Sequence, residues 1–92
     1  MDKQWIIREP KNIKKILSRL GKPEKKRYFE LIKDFKYRHP KSLAQEEISY
    51  KGVKVYIARL NDSYRVKYTL DPEENVIAIL SIGKHSDVGL KE

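Results

Sequence analysis

The pattern of apolar and polar positions changes period once along the chain, from about 3.6 residues in the first half to two in the second. From Val53 onward three runs read as consecutive strands, VKVYIARL, SYRVKYTL and NVIAILSIG, separated by the turn signals NDS and DPEEN. In the middle run Tyr64, Val66, Tyr68 and Leu70 alternate with Ser63, Arg65, Lys67 and Thr69, which predicts one apolar face and one basic face. The same period in the first run puts Tyr56, Ala58 and Leu60 on one side and Val55, Ile57 and Arg59 on the other. Pairing around Asn61 to Ser63 then brings Arg59 and Arg65 together on the face away from the core.

Upstream, KQWIIR over residues 3–8 reads as a short strand stopped by Glu9-Pro10, because proline biases its predecessor to extended geometry and suits a first helical turn. A first helix is expected from Pro10 or Lys11, with Ile13, Ile16, Leu17 and Leu20 on one stripe and Gly21 as a left-handed cap. A second opens at Lys22-Pro23, carries Tyr28, Leu31, Ile32 and Phe35 at helical spacing, and breaks at His39-Pro40. The stretch KSLAQEEISYKG is the least legible: Leu43 and Ile48 anchor a loop or a short helical turn, and Gly52 marks entry to the sheet. The fold class is α+β: strand, two-helix hairpin, then a three-stranded antiparallel meander, with both helices packed on one face of the sheet. Residues 1–92 form a single domain, since so short a chain supports one modest core.

Charge changes the picture next. The net charge is +8, and it is unevenly placed: residues 1–41 hold 14 Lys and Arg against 5 Asp and Glu, while residues 42–92 hold 7 against 8. The excess therefore lies on the helical half and points to a polyanionic or acidic partner. No cysteine is available for disulfides or thiolate metal sites, no apolar run approaches 18 residues, and MDKQWIIREP lacks a signal-peptide pattern. A soluble, untargeted, cytoplasmic protein is the expectation. The two histidines are far apart and no carboxylates stand at ligand spacing beside them, so no metal site is expected. Neither a glycine-rich phosphate loop nor a paired-carboxylate motif is present.

The run RLNDSYRVKYTLDPEENVIAILSIGKHSDV resembles the RelE/ParE superfamily of toxin-antitoxin toxins, the strongest matches being Tyr64-Arg65-Val66-Lys67-Tyr68 and Gly83-Lys84-His85-Ser86-Asp87-Val88. Element order agrees over nearly the whole chain. In the RelE branch the resemblance implies metal-independent cleavage of messenger RNA on the ribosome, with no cofactor, and neutralisation by a cognate antitoxin. Attack of a ribose 2′-hydroxyl on the adjacent phosphate needs cations on the phosphorane oxygens and groups to move two protons. By resemblance Arg65 is the phosphate clamp, Arg59 shares its charge, and His85, with an ordinary pKa near neutrality, is the acid/base candidate. Lys84, Lys67 and Lys54 are the expected RNA-binding cations. Two positions depart from the family pattern: Gly89 stands where ribosome-dependent members often carry a tyrosine, and Ile57 where a second basic residue is expected. Those departures lower the expected activity, and they support the alternative of a ParE-like, non-ribonuclease toxin acting on a protein such as DNA gyrase. For Arg65 the plain alternative is a surface ion pair with Asp62 or Glu73.

Overall fold

In the computed structural model, which describes residues 4–84, a five-stranded sheet is packed on one face by two helices. The elements are β1 (Ile6–Arg8), α1 (Ile13–Ser18), α2 (Lys22–Asp34), a 3-10 turn (Pro40–Leu43), β2 (Glu46–Tyr50), β3 (Val53–Arg59), β4 (Tyr64–Asp71) and β5 (Val76–Lys84). Their order across the sheet is β1-β5-β4-β3-β2. β2 to β5 are antiparallel neighbours, and β1 alone runs parallel, pairing Ile6, Ile7 and Arg8 with Val76, Ile77 and Ala78. The expected α+β architecture is present, extended by β2.

The meander forms where its alternation placed it. Tyr56, Ala58 and Leu60 from β3 and its end, Val66 and Tyr68 from β4, and Ile77, Ile79 and Ile82 from β5 build the core face. Against it lie Tyr28, Leu31 and Phe35 of α2 and its end, with Leu20 and the half-buried Ile13, Ile16 and Leu17 around α1. Phe35 meets Tyr68 edge to face at 5.2 Å, and the Tyr68 hydroxyl donates to the Pro40 carbonyl at 2.7 Å. The Tyr28 hydroxyl donates to the Glu9 carboxylate, which ties the β1–α1 connection to the centre of α2.

A bulge interrupts the β4–β5 pairing. Lys67 faces Ser81 but Tyr68 faces Ile79, so Leu80 is the extra residue and is left exposed. The inserted residue resets the alternation of β5: Ile77, Ile79 and Ile82 all turn to the core, and Ser81 and Gly83 come to lie beside Lys67 and Arg65 on the open face.

Three local expectations are corrected. The first helix ends at Ser18, whose hydroxyl donates to the Lys15 carbonyl and so occupies an acceptor at the helix end. Gly21 is not a left-handed cap: with φ −73° and ψ 170° it is the extended residue before α2, where a Cβ would stand 2.6 Å from the Glu24 carboxylate. α2 leaves regular geometry at Asp34, well before His39, as amides of Lys36 and Tyr37 reach back only three residues to Lys33 and Asp34. The illegible stretch contains both a 3-10 turn and β2, joined to β3 by a hairpin whose Lys51 and Gly52 take φ of 52° and 82°.

Candidate functional site

The β3–β4 turn positions the arginine pair. Asn61 Oδ1 accepts from the amides of Ser63 and Tyr64, each at 2.8 Å, and its side-chain amide donates to Glu24 of α2 at 2.6 Å. This side-chain-closed turn fixes the register in which Arg59 faces Arg65, Ala58 faces Val66 and Ile57 faces Lys67. Arg59, Arg65 and Lys67 therefore share the sheet face opposite the helices, as the alternation predicts, and directly opposed side chains start about 5 Å apart.

The two arginines are used differently. Arg59 is exposed, and its side chain makes no ion pair among the described residues. Its backbone amide donates to Gln45 Oε1 at 2.7 Å, which fixes the end of β3 beyond the reach of β2. Arg65 is only 6% exposed. One guanidinium nitrogen donates to three main-chain carbonyls of the turn, those of Asn61 at 2.8 Å and of Asp62 and Tyr64 at 3.2 Å. Its Nε is buried and has no hydrogen-bond partner among the described residues. The surface ion pair considered for Arg65 does not form, since it takes the carbonyl of Asp62 and not the carboxylate. An arginine so held cannot offer its whole fork to a phosphate, but it places a fixed positive charge beneath the turn.

Of the remaining expected residues, Lys67 is half-buried on the same open face between Ile57 and Ser81. Lys84 pairs with Tyr64, is exposed, and lines a cleft of about 360 Å3 with Arg19 of the α1 end, Tyr64 and Gly83. Lys54 is not brought to this cluster: it lies five residues before Arg59, roughly 17 Å along the strand, and pairs with Glu47 at 3.2 Å. His85 and Gly89 lie outside the described residues. Ile57 is 1% exposed, so the position where a cation was expected is part of the packed interior.

Two cations were missed. Arg27 and Arg38, on α2 and just beyond it, line a polar cavity of about 160 Å3 together with Arg59, Glu30, Asp34 and Ser42. Arg27 pairs with Glu30 at 3.0 Å and its Nε donates to the Leu60 carbonyl at 3.3 Å, whereas the Arg38 side chain has no ion-pair partner among the described residues. The spacing of residues 27, 30, 34 and 38 is a helical stripe, which could have signalled this polar face. Arg59 thus stands between the open sheet face and a second arginine cluster. Among the described residues no group of three or more metal-ligating side chains gathers, and no helix is long and apolar enough to cross a membrane.

Three solved structures share this fold over most of their length. The chain is 26% identical to the RelE protein of an archaeal RelE-RelB complex from Pyrococcus horikoshii, with a TM-score of 0.73 over 97% of this chain and 100% of that one. The toxin-antitoxin complex RelBE2 from Mycobacterium tuberculosis gives 17% identity and a TM-score of 0.60, covering 89% of this chain and 99% of that one. Free E. coli toxin RelE, with two arginines changed to alanine, gives 18% and 0.68, covering 92% and 87%. No family model and no curated protein matches the sequence.

Proposed function

Because the chain is RelE-like in fold from β1 to β5, we propose that it is the toxin of a toxin-antitoxin pair and that it stops translation by cutting messenger RNA on the ribosome. The observation that carries this reading is Arg59: an exposed guanidinium without an ion-pair partner among the described residues, set opposite a buried arginine on the open face. In the proposed step the 2′-hydroxyl oxygen bonds to phosphorus, the bond from phosphorus to the 5′-oxygen breaks, and a 2′,3′-cyclic phosphate remains. One proton leaves the 2′-hydroxyl and one arrives on the departing 5′-oxygen. Arg59 grips the phosphorane oxygens, Lys67 adds positive charge beside it, and Arg65 holds the turn while biasing the local potential from beneath. His85 is assigned the proton transfers. Lys84 and the lysines of the helices hold the surrounding RNA through salt-sensitive phosphate contacts. The partner is an antitoxin, of the kind present in the RelE-RelB and RelBE2 complexes, and its acidic groups neutralise the same basic surface.

The test is induction of the chain in cells, followed by mapping of messenger RNA ends. Cuts confined to translated frames are expected, and Arg59→Ala should reduce them by at least about a hundredfold with no loss of folding, given the size of single electrostatic contributions. Growth arrest with intact messenger RNA and double-strand DNA breaks would replace this reading with the gyrase-directed one.

A further inference from the structure

At the far end of β3 from Arg59 lies a second cleft, of about 340 Å3, between the start of β1, the 3-10 turn and the β3–β4 pair. Its walls are Trp5, Tyr56 and Leu70, and its rim carries His39, Lys41 and Lys54. Trp5 and His39 meet edge to face at 5.7 Å, and His39 Nδ1 accepts the Lys41 amide at 3.1 Å. That hydrogen bond fixes the orientation of the imidazole ring. No carboxylate among the described residues lines the cleft. Glu47 reaches Lys54 from outside, in an exposed pair worth little against a competing anion.

We propose that this cleft binds an unstacked RNA nucleotide, its base against the aromatic wall and its phosphate between Lys41 and Lys54. The volume lies at the small end of ligand sites and suits a single nucleotide. Aromatic rings beside ammonium groups are what a splayed nucleotide needs, and stacking of this kind tolerates any base. An apolar peptide anchor would use the wall but has no need of two cations, and an acidic peptide would use the cations but not the rings. The cleft opens beside the helical layer, away from the open face that carries Arg59, so it is a separate contact and not an extension of the cutting site. The choice of RNA as the source of the nucleotide rests on the translation-directed function above; the binding of a base with its phosphate does not.

Trp5 is the chain's one tryptophan and lines this cleft, so tryptophan fluorescence follows what happens there. Titration of the full chain with a short oligoadenylate should quench Trp5 saturably, while ribose 5-phosphate should not. Replacing both Lys41 and Lys54 by alanine should weaken the oligoadenylate by about tenfold or more and flatten its salt dependence, with the melting temperature unchanged because both residues are exposed. Arg59→Ala should leave the quenching intact. No quenching by the oligoadenylate, equal affinity in the lysine variant, or quenching by an acidic aromatic peptide where RNA gives none would overturn the proposal. Quenching that persists when ribosome-bound messenger RNA stays whole leaves the cleft standing and removes the cutting reading alone.

Discussion

Arg59 and Arg65 are cross-strand partners of the same residue type, yet their surroundings give them unlike tasks. Arg65 is buried and serves three carbonyls, so Arg65→Ala deprives a tight turn of its donors and should cost about 1–3 kcal/mol of stability in urea denaturation. Arg59→Ala, at an exposed site, should stay within about 0.5 kcal/mol. Equal midpoints for the two variants would contradict the assignment of Arg65 to the turn. The sequence placed both arginines on the correct face because alternation decides sides. It presented Arg65 as a surface residue because alternation says nothing of what lies next to a side chain after folding. Ile57 teaches the same: Val55 and Ile57 are buried although they lie on the face opposite the helices, so a lysine at position 57 would be a charge stripped of water.

At the level of elements, two tyrosines fasten the helical layer to the strands. Burial, reinforced by the bond to Glu9 and its charge, pushes the Tyr28 hydroxyl well above the ordinary value of 10.0; burial, with Tyr56 nearby, does the same to Tyr68. A pKa raised in the folded chain favours folding only while the unfolded hydroxyl keeps its proton. The contribution is therefore complete below pH 10.0 and is lost as pH rises beyond that toward the folded values. Chemical denaturation followed across about pH 9 to 11.5 should show stability falling from about pH 10 upward, less steeply in Tyr28→Phe, which should also lose about 1 kcal/mol at neutral pH with its hydrogen bond. A slope identical in the two chains would show that Tyr28 ionises alike in both states. The helices and the three long strands were legible because each has a strong period. β2 was not, because EEISY is an edge strand whose two glutamates and serine mask its alternation. The bulge at Lys67 and Tyr68 was equally hidden, since one inserted residue leaves the local composition of β5 unchanged.

On the scale of the molecule, the excess of lysine and arginine in residues 1–41 belongs to the layer of helices, while Arg59 and Arg65 start from the reverse side of the sheet, Arg65 folded onto its turn and Arg59 at the strand end lining the cavity of Arg27 and Arg38. The two sets of cations thus start from different faces and meet at the end of β3, a relation that a charge count does not hold and the topology makes plain. That topology also sets a timetable. β1 has one neighbour, β5, and its first paired residue, Ile6, meets Val76 across 70 positions of chain, with Ile77, Ile79 and Ile82 of the same late strand completing the interior. During synthesis, then, the earliest strand waits unpaired until the last one has emerged. Ribosome-stalled chains that expose only residues 1–75 should be digested quickly by added protease, and chains that expose all 92 should resist it. A fold assembled in this order stays open until β5 has been made, so through most of that interval its apolar interior is within reach of whatever else can bind it.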